Sequence, residues 1–263
     1  ILVPILTGLD VSNTLLFAGL GTLLFHLITG GKVPAFLGSS FAFLGGYATI
    51  APMLGEQQNI PNLEMLPYAC FGVACAGLVY VILAGLFKVF GAKKVMRFFP
   101  PIVTGPIIIA IGLNLSSSAI NNCTGSWWIA IAAILIIVAA NIWGKGMIKI
   151  IPILLGVIGS YLLAVIFDAD VRANLVANVS EAKWFALPIK MEQTVFGLFA
   201  SGNVDAHKLL TAVITIVPLS LATMVEHIGD VSAISSTCNR NYIENPGLHR
   251  TLMGDGLATA FAG

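Results

Sequence analysis

Two carboxylates four residues apart close a strongly apolar run. They are Glu226 and Asp230, in Thr223-Met224-Val225-Glu226-His227-Ile228-Gly229-Asp230, and the run before them is Leu209 to Val225. Four residues is about one helical turn, so Glu226 and Asp230 share a face, and Thr223 extends it as a polar stripe. A carboxylate at membrane depth costs about 2.5–3.5 kcal/mol on insertion scales, so it is expected to face a cavity or a partner. A carrier that couples a solute to protons needs such a group. The bland alternative is a helix terminus or a structural ion pair, and it weighs more for Asp230 than for Glu226, whose own segment carries no basic residue. His227 sits about 100° round the helix from Glu226 and reads as a packing or hydrogen-bonding residue.

The rest of the chain must place this stripe in a membrane. Of 263 residues, 57% are hydrophobic and 10% charged, with mean hydropathy +0.94. Soluble domains carry about 25% charged residues, so the chain reads as an all-α polytopic membrane protein. The net charge of +1, with no long basic run, gives no reason to expect a nucleic-acid partner. No GxxxxGK[ST] or HExxH pattern occurs, which argues against ATP-driven transport within this chain and against a zinc protease. Cys70, Cys75, Cys123 and Cys238 form no CxxC pair and read as small packing residues.

About 20 apolar residues span a bilayer as a helix. On that rule about nine segments are expected: the tail of one at 1–6, then 15–28, 33–53, 66–87, 102–115, 127–143, 150–167, 209–237 and an opening at 252–263. Residues 168–208 read as a polar connection whose Trp184-Phe185-Ala186-Leu187-Pro188 stretch is expected on the outer surface. Basic residues fall in alternate loops, at Lys32, at 88–97, 144–149 and 238–250, so these loops are expected to be cytoplasmic in a multi-pass cell-membrane protein. Opposite loops carry Asp10, Glu56, Glu64, Asp168 and Asp170. Both ends lie in apolar stretches, which reads as a fragment.

The third segment is unusual. Gly38-Ser39-Ser40-Phe41-Ala42-Phe43-Leu44-Gly45-Gly46 is rich in glycine and serine. Residues 41–44 fit a short extended stretch lining a cavity as well as they fit helix packing through small residues. Gly19-Leu20-Gly21, Gly72 and Gly77 read as packing faces.

Several of these motifs carry a resemblance. Lys32-Val33-Pro34-Ala35-Phe36-Leu37-Gly38-Ser39-Ser40-Phe41-Ala42-Phe43 resembles the third-helix motif of bacterial uracil permeases, within the nucleobase–cation symporter-2 (nucleobase–ascorbate transporter) family. Ile151-Pro152-Ile153-Leu154-Leu155-Gly156-Val157 and 184–188 are similar in order and spacing. Glu226-His227-Ile228-Gly229-Asp230, Asn245-Pro246-Gly247-Leu248-His249-Arg250 and Gly254-Asp255-Gly256-Leu257-Ala258-Thr259 match most closely.

The resemblance implies a fold of about fourteen segments in two inverted repeats, with short strands breaking the third and tenth. Residues 1–168 would then be the first repeat without its start, 169–208 an extracytoplasmic connection, and 209–263 the opening of the second repeat. It implies no enzyme activity and no cofactor, the proton serving as coupling ion. The implied substrate is a nucleobase, uracil before xanthine or uric acid, in a lipid bilayer, with a homodimer as a candidate assembly. Glu226, Phe41, Ser40 and Ala42 would contact the base, Glu226 and Asp230 would couple protons, and a second carboxylate would follow on a tenth segment beyond Gly263. Asp230 departs from the histidine of some uracil permeases, which puts the coupling chemistry in question. A sulfate-carrier-like anion transporter would place a cation where this chain has Glu226, and an intramembrane enzyme would need a second cluster of His or Asp at membrane depth.

Overall fold

A computed structural model describes residues 2–55, 60–91, 94, 97, 101–182, 188–200, 202 and 204–263. Its helices are α1 (Leu2–Thr7), α2 (Val11–Thr29), α3 (Leu44–Ile50), α4 (Leu66–Phe90), α5 (Pro101–Cys123), α6 (Trp127–Trp143), α7 (Pro152–Phe167), α8 (Ala169–Glu181), α9 (Val195–Ala200), α10 (Ala206–Ile216), α11 (Ser220–Thr237) and α12 (Leu248–Ala262). Among the described residues three spans are long and apolar enough to cross a membrane: α2, α4, and α10 with α11 taken together across their break. At 1.5 Å per residue, the 19 residues of α2 reach about 28 Å, close to the hydrocarbon thickness. α7 and α8 pass the same test together but are bent by 106°. Two of the expected segments hold shorter apolar helices, Phe41–Ile50 and α6.

Local chemistry sets the ends. The Asp10 carboxylate accepts from the Asn13 amide at 3.0 Å and caps α2, which Gly30 terminates at φ 65°, a left-handed conformation favoured by glycine. α2 therefore begins four residues earlier than expected. Pro218 withdraws an amide from the helix ladder, and a 3-10 turn at Val217–Leu219 divides α10 from α11. α12 begins at Leu248, also earlier than expected. The connection is not irregular throughout: Asp168 caps α8 by accepting from the Asp170 and Val171 amides, and α9 follows a 3-10 turn at Met191–Gln193. The Trp184–Leu187 part of the expected surface stretch, and Glu56, lie outside the described residues.

The chain forms two compact units. Ile1–Ile111 with Pro188–Gly263 make the first, and Gly112–Leu187 the second. In the second, α6 packs on α7, with Gly156 and Gly159 receiving Ile137 and Ile136 and Trp128 edge-on to Phe167.

In the first unit, α4 is the central element, packed by α12, α10 and α3. Lipid is as apolar as leucine, so area burial drives little association there, and close backbone approach carries the packing. Gly77 and Gly256 supply it: a Cβ on Gly77 would lie 2.5 Å from the Ala260 nitrogen, and one on Gly256 2.6 Å from the Tyr80 Cβ. Gly72 receives Ala212 and Ile216, while Gly46 receives Ile216 and Leu219. Gly21 meets Ala258, but Gly19 faces open space, so only one of that expected pair packs. Leu23, Ile82 and Ile214 are exposed on the outer faces, as a hydrocarbon surround would require.

The third segment is not extended at residues 41–44. Phe41–Phe43 form a 3-10 turn that runs into α3, and the irregular backbone lies before it, at 34–40. Ser40 at φ −76° and ψ 133° is extended and caps the turn by accepting from the Ala42 amide, so the cap fixes where helix begins.

Polar contacts tie loops expected on the same side of the membrane. The Lys32 ammonium donates to the Asn245 side chain at 2.6 Å, Lys208 pairs with Glu64 at 2.5 Å, and Lys190 pairs with Asp10 at 2.6 Å.

The Lys190 hydrogen bond, then the Asn13 amide, hold the Asp10 carboxyl below its usual range. A lowered folded-state value means the contribution is complete above the ordinary carboxylate pKa of about 4 and is lost as pH falls through the lowered value. Lys190 is largely exposed, so acid titration of the full-length protein in detergent should show about 0.2–1 kcal/mol of stability from this pair, absent in Lys190→Met. The glycine seam gives a second test. Gly77→Val should lower stability by about 1–3 kcal/mol through overpacking, while Gly19→Ala leaves the melting temperature unchanged.

Candidate functional site

α11 carries Thr223, Glu226 and Asp230 at helical spacing, and all three line one cavity of about 300 Å³ in the first unit. That is the lower end of the range for small-molecule pockets. The irregular residues 36–40, with Phe41 of the 3-10 turn, form another wall, α2 contributes Asn13, Thr14 and Phe17, and α12 contributes Asp255.

The wall from the third segment is held in place from two sides. Toward α2, the Leu37 amide donates to the Thr22 hydroxyl at 3.0 Å. Toward α11, the Ser40 hydroxyl donates to Glu226 Oε2 at 3.0 Å. Irregular backbone at membrane depth needs its polar groups satisfied by protein: Thr22 serves both the Leu37 amide and, at 3.3 Å, the Leu37 carbonyl, while the Ser40 side chain ties the stretch to α11 beside the cavity.

Glu226 is half-buried. Ser40 gives it one donor, and an ionised carboxylate has about four acceptor positions, so it retains capacity for an N–H from a solute. Phe41 and Ala42 are partly buried, and Phe41 lines the cavity as the first residue of the 3-10 turn, a position whose amide has no partner within the helix. Ala42 spends its amide on Ser40 Oγ at 3.3 Å and is not among the lining residues. Asp230 lines the same cavity but is exposed, one turn from Glu226. The site residues expected from the sequence therefore gather around one hollow, except that Ala42 supports it from behind.

Sequence reasoning missed three contributors. Asp255 accepts from His227 at 2.9 Å between Oδ2 and Nδ1, joining α11 to α12. His227 is buried and its Nε2 has no hydrogen-bond partner among the described residues. The signal was present: an acidic residue in an apolar stretch seven residues past the helix start, within Gly254-Asp255-Gly256. Tyr80 donates to the Thr223 hydroxyl, which itself donates to the Ser220 carbonyl at 3.0 Å. Gln193, from the connection expected to be only a linker, is buried against the same cavity. Nothing in its local sequence distinguishes it. Among the described residues no group of His, Cys, Asp and Glu has the arrangement of a metal site.

Apolar spans and a broken segment beside a cavity that holds a half-buried carboxylate mark a multi-pass membrane protein with a candidate solute site. The sequence profile described as "Permease family" (Xan_ur_permease) matches residues 1–263, and the chain belongs to that family. It is 38% identical over 271 residues to a "Probable uracil permease" of Haemophilus influenzae, covering 100% of this chain and 59% of that protein. It is 36% identical over 269 residues to a "Uracil permease" of Bacillus caldolyticus, covering 98% and 57%. It is 34% identical over 278 residues to a "Uracil permease" of Bacillus subtilis, covering 100% and 58%. The chain thus spans less than two thirds of the length of these relatives. They are permeases, not enzymes, which removes the intramembrane-enzyme reading.

The Ser40 hydroxyl serves both the cap and the carboxylate, so its loss should be felt twice. Ser40→Ala in the full-length protein should cost about 1 kcal/mol of thermal stability through the cap alone. Ser40→Thr, which keeps a hydroxyl, should recover most of it. Equal melting temperatures for wild type and Ser40→Ala would remove the bond from any structural role.

Proposed function

We propose that this chain contributes nucleobase-contacting residues, Glu226 first among them, to a permease that takes up uracil by proton symport across the cell membrane. The observation that carries the reading is the Ser40–Glu226 hydrogen bond, which sets a carboxylate against irregular backbone inside the 300 Å³ cavity. Uracil is planar and neutral, with alternating N–H donors and C=O acceptors. Glu226 accepts from a ring N–H, and backbone amide at Phe41 donates to a ring carbonyl. Hydrogen bonds to a charged acceptor contribute about 1.5–3 kcal/mol, enough to discriminate against rings without the donor. The relatives are named uracil permeases, which favours uracil over a purine.

Protonation of Glu226 removes an acceptor and a charge from the cavity, so it changes solute affinity and the cost of burying the site together. A proton then shifts the access equilibrium only as far as its affinity differs between the two states. Asp230, exposed one turn away, is the proposed relay to solvent. Lys32 and the basic loops 88–97, 144–149 and 238–250 face the cytoplasm in this reading, and a homodimer remains a candidate assembly.

Glu226→Gln keeps shape and loses the charge. In the full-length protein it should weaken uracil binding at least about tenfold by calorimetry, the effect of losing roughly 1.4 kcal/mol or more. Wild-type affinity in that variant would remove Glu226 from the site. Asp230→Asn should leave binding nearly unchanged while slowing proton-driven uptake of labelled uracil.

A further inference from the structure

The connection before α10 does not stay in the loop region. Lys190 to Val195 cross the N-terminal end of α2, and Gln193, Thr194, Val195 and Phe196 form part of the cavity wall beside Leu9 and Asn13. Two kinds of attachment hold this stretch, and they differ in strength. At its far end α9 is anchored by apolar packing on α4: Leu198 is buried and Phe199 is edge-on to Phe71 with ring centroids 5.9 Å apart. At its near end the attachment is polar and centred on one residue. The Asp10 carboxylate pairs with Lys190 at 2.6 Å, and the Asp10 amide donates to Gln193 Oε1 at 2.6 Å. Beneath it, the Cys70 thiol donates to the Gln193 carbonyl at 3.7 Å.

We propose that residues 190–194 are a strap closing the α2-N-terminal end of the cavity, hinged on the apolar contacts of α9 and latched by Asp10, so that releasing Lys190 from Asp10 opens the cavity at that end. The asymmetry of the attachments supports it. An ion pair with a 62% exposed lysine is weak and easily broken. The Phe71, Leu198 and Phe199 contacts have no such release. The buried polar contacts of Gln193 depend on the strap lying down, so the segment has a closed state defined by several bonds at once, and loss of the exposed pair loosens the rest. Of the polar bonds that hold the segment, the Lys190–Asp10 pair is the solvent-accessible one, so opening starts there.

This deepens the proposed function by naming the access route to the same cavity, on the face opposite the basic loops. Cys70 reports it directly, since it is 5% exposed and lies under Gln193. In the full-length protein with Cys75→Ser, Cys123→Ser and Cys238→Ser, a membrane-impermeant thiol reagent is applied to intact cells without solute. Wild type and Lys190→Arg should label Cys70 slowly and alike. Lys190→Glu, which sets like charges together, should label about threefold faster or more, since opening tracks the latch free energy. Lys190→Met should fall between, and it serves where Lys190→Glu fails to reach the membrane. Equal rates in all variants, or acceleration seen only in inverted vesicles, would overturn the strap. Because no solute is present, a failure of uracil binding leaves this outcome untouched, and an inert strap leaves the Glu226 assignment untouched.

Discussion

The hydrogen bond from Ser40 to Glu226 constrains the rest of the site. Glu226 sits on a regular helix and Ser40 on backbone that is neither helix nor strand, so the bond fixes the position of an irregular segment by reference to a regular one. The same hydroxyl oxygen accepts from Ala42 and starts the 3-10 turn. One side chain thus decides where the break in the third segment ends and which way its first helical amide faces. Leu37 bonding to Thr22 secures the other end of the break on α2.

Packing around that bond relies on the absence of side chains. α4 and α12 approach through Gly77 and Gly256 closely enough that their backbones exclude a Cβ, and α10 reaches α4 at Gly72. Close approach brings Asp255 on α12 within reach of His227 on α11, and Tyr80 on α4 within reach of Thr223. Thr223 and His227 are therefore each matched by an element that arrives through a glycine contact. A polar stripe in hydrocarbon demands such matching, because unpaired groups there have no water to turn to.

The cavity wall has a weaker side. The part made by the third segment and α11 is bonded within the bundle, while the part made by residues 193–196 belongs to a connection pinned chiefly through Asp10. In the proposed carrier one boundary of the site has to be more easily displaced than the others, and the proposed strap puts that boundary at the N-terminus of α2.

Much was legible in the residues. The apolar run ending in Glu226 and Asp230 gave an intramembrane acidic face, and the structure puts both on one cavity. The glycine- and serine-rich third segment fitted a short extended stretch at 41–44 as well as close helix packing; the irregular stretch is instead 34–40 and residues 41–43 are helical, because the Ser40 cap starts the turn at Phe41. Helix starts at Val11 and Leu248 were placed late, since hydropathy marks the apolar centre of a helix while caps mark its ends. What hydropathy, spacing and local capping chemistry determine is which stretches are apolar, where polar groups interrupt them and which of those share a helical face, because these depend on neighbours within a turn or two. Only the tertiary structure decided that Ser40 meets Glu226 across 186 positions, that His227 finds Asp255, and that Gln193 leaves its connection to line the cavity. Those pairings depend on how closely helices pass one another, and that is set by glycines and bulky side chains acting from different parts of the chain at once.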